Sequence, residues 1–247
     1  MKEYFSKEKR FNLIAFLGFF SWLFLGSLFF VIPLYIIGPK VSGLSLFDYL
    51  SNIKVVTEHT YIPAAIANIF GVFIFVMLFY KTIKTDALNF KNKWLKCIII
   101  IVCGFILLLA SNYLMGYIYE LLGFGEDDTS SNQQGIIDAL NGSTKYVVIF
   151  YTVILAPIFE EIIFRKLFYN ALRMNTKLPA WAIVLIISIV FAGIHVMTDL
   201  ESLVYFPQYF VLAFIITGAY ALTKENIFVS IGLHFLNNLF AVLEILL

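Results

Sequence analysis

Seven stretches of this chain are apolar over close to the length a helix needs to cross a bilayer: about 11–37, 61–80, 95–122, 146–173, 179–198, 203–223 and 227–246. A hydrocarbon core about 30 Å thick takes about 20 apolar residues as a helix, and inside it each backbone group must be satisfied within its own segment. That leaves few folds open, and the pattern predicts an all-α, polytopic transmembrane helical bundle of about seven spans. Charge agrees: 13% of the residues are charged and 61% hydrophobic, where a soluble domain carries about 25% charged residues. The first run, preceded by the basic MKEYFSKEKR, is longer than the roughly 7–15 apolar residues of a signal peptide and reads as an uncleaved span. No basic stripe points to a nucleic-acid partner.

The spans group into three along 1–122, a polar segment at 123–145 and four more along 146–247. No internal repeat is visible. Alternation of seven spans puts 14 Lys and Arg on one side and three, Lys40, Lys54 and Lys145, on the other. Positive residues stay in the cytoplasm, so the expectation is a cytoplasmic N-terminus and an outer C-terminus in a multi-pass cell-membrane protein. The Phe- and Ile-rich composition suggests a bacterial plasma membrane. The acidic 123–145 segment reads as a solvated outer connector with a short amphipathic turn at GIIDAL. Cys97 and Cys103, six apart on one expected helix, read as free thiols.

Against this background the fourth span is anomalous. APIFEEIIFRKLF, residues 156–168, places Glu160, Glu161 and Arg165 inside an apolar run. A charge at the centre of a membrane helix costs about 2.5–3.5 kcal/mol. Neighbouring residues point about 100° apart on a helix, so the two glutamates face different surroundings. Glu161 and Arg165, at i and i+4 with the acid first, suit an ion pair. Glu160 then needs partners from other helices, and Pro157 can kink the helix beside it. Candidates are His195 in the fifth span, and His234 with Asn238, one turn apart, in the seventh. On a rise of 1.5 Å per residue these groups lie within about two turns of a common depth. His59 falls in an outer loop and is given no role.

A glutamate beside two imidazoles suits a hydrolase that activates water, with Glu160 as general base, His195 holding the water or the carboxylate, and His234 and Asn238 donating to the oxyanion. Glu160, His195 and His234 also match the two-histidine, one-carboxylate ligand set of catalytic zinc. The residues alone leave both open, so the cofactor is none or zinc.

EExxFR (Glu160, Glu161, Phe164, Arg165), FxxxH (Phe191, His195) and HxxxN (His234, Asn238), in that order on hydrophobic spans, resemble the motifs of the CAAX protease and bacteriocin-processing family, also called CPBP or Abi. That family includes the prenyl-protein endoprotease Rce. The resemblance covers about 145–245. It implies an intramembrane endopeptidase acting on a membrane-anchored peptide or protein in the lipid bilayer. In it Glu160 activates water, His195 assists, His234 and Asn238 stabilise the oxyanion, and Glu161 and Arg165 support the site. Lys166 stands where family members commonly have glycine, a change expected to touch packing rather than chemistry. Two other classes remain: a non-catalytic bacteriocin-immunity or scaffold membrane protein, and a proton-coupled transporter, since intramembrane Glu and His also mark proton relays.

Overall fold

The computed structural model describes residues 2–26, 28–125, 128–197 and 199–247. Its described elements are helices throughout: α1 (Lys2–Leu25), α2 (Leu28–Ser42), α3 (Leu46–Ser51), α4 (Ile53–Asn92), α5 (Trp94–Leu121), α6 (Ser131–Leu140), α7 (Lys145–Asn175), α8 (Ala180–Val196), a 3₁₀ turn (Glu201–Tyr205), α9 (Phe206–Leu222) and α10 (Ile227–Leu246). Among the described residues five helices are long and apolar enough to cross a membrane, and α8 is a shorter apolar helix. The chain is an all-α polytopic bundle.

Helix α7 lies at its centre. Its most apolar window is 61% buried, against 22% for α5. A helix apolar all round belongs in a core or in lipid, and burial assigns α7 to the core and α5 to the lipid-facing rim. Phe159, Ile163, Phe164 and Leu167 of α7 pack with Ile183, Ile187 and Phe191 of α8, Ala213 and Tyr220 of α9, and Phe75 of α4. Both cysteines are free, Cys97 buried and Cys103 exposed.

Three expectations change. The first apolar run is two helices, interrupted after Leu25 where the Gly26 N–H closes a turn on the Trp22 carbonyl at 2.7 Å. The second span continues as one helix of 40 residues, kinked at Phe79, or about 60 Å at 1.5 Å per residue. Lys81, Lys84 and Lys91 therefore ride a helical extension, and the turn into α5 is confined to Lys93. His59 lies on this helix and not in a loop, with Nδ1 2.9 Å from the Tyr49 hydroxyl.

The 123–145 segment is more than a connector, although its Glu126 and Asp127 fall outside the described residues. It holds α6, capped by Ser130, whose Oγ accepts from the Gln133 N–H at 3.2 Å. Ala139 and Leu140 at the end of α6 are buried against Val148 and Val242.

Not every cation assigned to the cytoplasmic side reaches water. Arg165 and Lys166, two of those 14, are 0% and 4% exposed. The Lys166 ammonium is 2.5 Å from Asp86 on the α4 extension and donates to the Glu225 carbonyl at 3.3 Å. Asn226 Nδ2 donates to the Asp86 carbonyl at 2.7 Å. One buried ion pair thus ties α4, α7 and the start of α10 together. Lys166 thus joins helices through its ammonium group.

Candidate active site

The register of α7 sets the site. The helix passes from α to π at Tyr151–Leu155, back to α over Ala156–Glu161, and again to π over Ile162–Tyr169. In the first π turn the Ala156 N–H donates to the Tyr151 carbonyl. The next donor in that register would be residue 157, which is proline and has no N–H. The Thr152 carbonyl is left over, and Asn238 Nδ2 on α10 donates to it at 2.9 Å. A membrane helix tolerates such a break only where something re-satisfies the backbone. Pro157 and Asn238 are therefore coupled through one carbonyl.

The adjacent glutamates diverge, as their 100° offset requires. The Glu160 side chain is 18% exposed, whereas that of Glu161 is 0% exposed. Glu161 Oε1 accepts from Arg165 Nη1 at 2.8 Å and lies 2.8 Å from His234 Nδ1. The guanidinium also reaches the Ala213 carbonyl at 3.4 Å and lies 5.0 Å from the Phe191 ring centroid. The expected ion pair is present, with His234 as an added partner. An ionised Glu161 can only accept, so His234 carries its proton on Nδ1 and turns Nε2 toward Glu160.

His195 is oriented in the same way. Its Nδ1 lies 2.8 Å from the Phe191 carbonyl, which only accepts, so Nδ1 donates and Nε2 is turned toward Glu160. The ring is stacked between Phe191 and Tyr209, at 4.2 and 5.0 Å between centroids. Glu160 Oε2 is 4.0 Å from His195 Nε2 and 3.9 Å from His234 Nε2. These gaps are too long for direct hydrogen bonds and suit one small bridging molecule.

The structure thus brings Glu160, His195, His234 and Asn238 to one cavity of about 780 Å³. Its walls include Tyr151 and Thr152 of α7, Asn112 and Glu120 of α5, Tyr209 of α9 and Glu244 of α10. Glu161 and Arg165 lie behind it. Tyr209 and Asn237 were not singled out in the sequence. Tyr209 links the 123–145 segment to His195, because its hydroxyl lies 2.7 Å from Ser130 Oγ. A lone Tyr or Asn on an apolar span carries no local signal for such a role.

The donor types match zinc, but the spacing does not. Four-coordinate zinc with bonds of 2.0–2.2 Å holds neighbouring ligand atoms about 3.3 Å apart, against 3.9 and 4.0 Å here. Among the described residues no group of three or more His, Cys, Asp or Glu is arranged to hold a metal ion. As placed, these residues do not form a zinc centre.

Comparison with known proteins follows the same residues. The family model described as "Type II CAAX prenyl endopeptidase Rce1-like" matches residues 142–240, which hold every group above except Asn112 and Glu120 of α5, Ser130, and Glu244 of α10. The chain is 32% identical over 171 residues, 68% of its length, to the Bacillus subtilis (strain 168) protein named "Putative membrane peptidase YdiL", and spans 65% of that protein. No solved structure matches. Over residues 142–240, the chain is similar to the Rce1-like family of type II CAAX prenyl endopeptidases.

Proposed function

We propose that this protein is an intramembrane endopeptidase that hydrolyses a peptide bond in a membrane-associated peptide or protein, with water activated by Glu160. The observation that carries this reading is the convergence of Glu160 Oε2 with two imidazole Nε2 atoms, at 3.9 and 4.0 Å, on the wall of one large cavity.

Each side chain has one task. A water in the gap donates one O–H to Glu160 and the other to His195 Nε2, which is held as an acceptor by its bond to the Phe191 carbonyl. Glu160 takes the proton as the water oxygen bonds to the scissile carbonyl carbon. The carbonyl π electrons move to oxygen and form a tetrahedral oxyanion. His234, when both ring nitrogens carry a proton, and the free N–H of Asn238 donate to that oxygen. The negative charge passes from Glu160, which is now protonated, to the oxyanion, so the net charge of the site does not change. Collapse of the intermediate breaks the C–N bond, and Glu160 returns its proton to the leaving nitrogen. Glu161 resembles the buried carboxylate of a Ser-His-Asp triad: it fixes the His234 tautomer and stabilises its cation. No step runs through a metal, so chelation should leave the rate unchanged.

The cavity has room for several residues of extended peptide beside Glu160. The test is mass-spectrometric mapping of products from wild type in proteoliposomes supplied with a library of peptides bearing an apolar anchor. New termini at defined peptide bonds, absent with Glu160→Gln, are expected. Binding of library members without any cleavage would instead support a non-catalytic immunity or scaffold protein.

A further inference from the structure

Three asparagines form a chain along the cavity wall. Asn112 Nδ2 on α5 is 3.5 Å from Asn237 Oδ1 on α10, Asn237 Nδ2 is 3.2 Å from Asn238 Oδ1, and Asn238 Nδ2 is 2.9 Å from the Thr152 carbonyl. All four residues line the cavity.

An isolated asparagine can flip its amide end for end. Here the far end decides. The Thr152 carbonyl only accepts, so Asn238 must present its nitrogen to it and its oxygen to Asn237. Asn237 must then present nitrogen to Asn238 and oxygen to Asn112. The proline gap at Pro157 orients all three amides in one direction. With one N–H on Thr152 and its oxygen accepting from Asn237, Asn238 retains a single free donor, its second N–H. A side chain reduced to one donor of fixed plane is what a developing oxyanion requires.

We infer that Asn237, backed more loosely by Asn112, is a positioning residue for the reaction proposed above: it holds the Asn238 amide plane so that the remaining N–H serves the oxyanion. The inference rests on the endopeptidase reading. It differs from an ordinary bridge between α5 and α10, which would contribute stability alone.

A double-mutant cycle separates these. Asn237→Leu should lower kcat about 10–100-fold with KM unchanged, less than the 10²–10³-fold typical of losing an oxyanion donor outright. Asn112→Leu, at the longest link, should cost less. In an Asn238→Ala background, followed by single turnover with excess enzyme, Asn237→Leu should cost nothing further. Additive losses, a change confined to KM, or full activity in Asn237→Leu would overturn the inference. So would an Asn237→Leu loss that tracks its melting temperature and is matched by the less perturbing Asn112→Leu. Wild type that cleaves nothing, or cleavage that survives Glu160→Gln, would overturn the endopeptidase reading and this inference with it.

Discussion

At the scale of single residues, the proposed mechanism divides stability from chemistry between the two adjacent glutamates. Glu161 is fully buried between a guanidinium and an imidazole, so removing its charge leaves Arg165 without its partner in the core. Breaking a buried pair by removing one partner costs about 3–5 kcal/mol. Glu161→Gln should therefore lower the melting temperature strongly in detergent. Glu160→Gln should leave it nearly unchanged, because that side chain faces the cavity and its imidazole neighbours stand 3.9 and 4.0 Å away. Equal losses in the two variants would remove the distinction. The ion pair was legible from the i, i+4 spacing alone. The His234 bond to Glu161 was not, because it depends on the rotation of α10 about its axis, which no local pattern encodes.

At the scale of elements, α7 departs from a regular helix where the site needs it. Pro157 deprives Thr152 of a donor and Asn238 supplies one from another helix. Asn238→Ala should leave that carbonyl buried and unpaired, at about 1–3 kcal/mol. Adding Pro157→Ala restores an N–H at residue 157 and should recover most of the lost thermal stability without restoring activity. Failure of the double variant to regain stability would argue against the coupling. The ion pair between Lys166 and Asp86 is the other fixed point of this helix, at its opposite end. Asp86→Asn should destabilise by about 3–5 kcal/mol, and replacing both partners with apolar residues should recover much of the loss. In the sequence the proline announced a kink. It did not announce two π segments, since π register is set by packing around α7 and not by its own residues. Likewise nothing in the sequence singled out Asp86, because the α4 extension that buries it carries mostly exposed side chains.

At the scale of the whole molecule, apolar run lengths were enough to give an all-α polytopic bundle. They misplaced breaks where a helix outlasts its apolar run, as α4 does, or is interrupted inside one, as after Leu25. The site residues were legible because charged and polar groups stand out on apolar spans, and their three motifs occur in order. The cavity was not legible, since α5, α9 and the 123–145 segment contribute walls that only the fold brings together. Those walls include Glu120, Glu160 and Glu244 and, among the described residues, no Lys or Arg. A cavity with an excess of acidic side chains concentrates cationic partners. Peptides with Lys near the cleaved bond should give a higher kcat/KM than matched peptides with Glu, and rising salt should narrow the difference. The reverse order would show that the lining does not set specificity.

The most direct test of the central claim is single-turnover cleavage by wild type and Glu160→Gln of one mapped substrate in the same proteoliposomes, with melting temperatures taken alongside. Loss of a general base should slow the chemical step about 10²–10⁴-fold while the fold stays intact. A Glu160→Gln protein that cleaves at the wild-type rate would contradict the role given to Glu160.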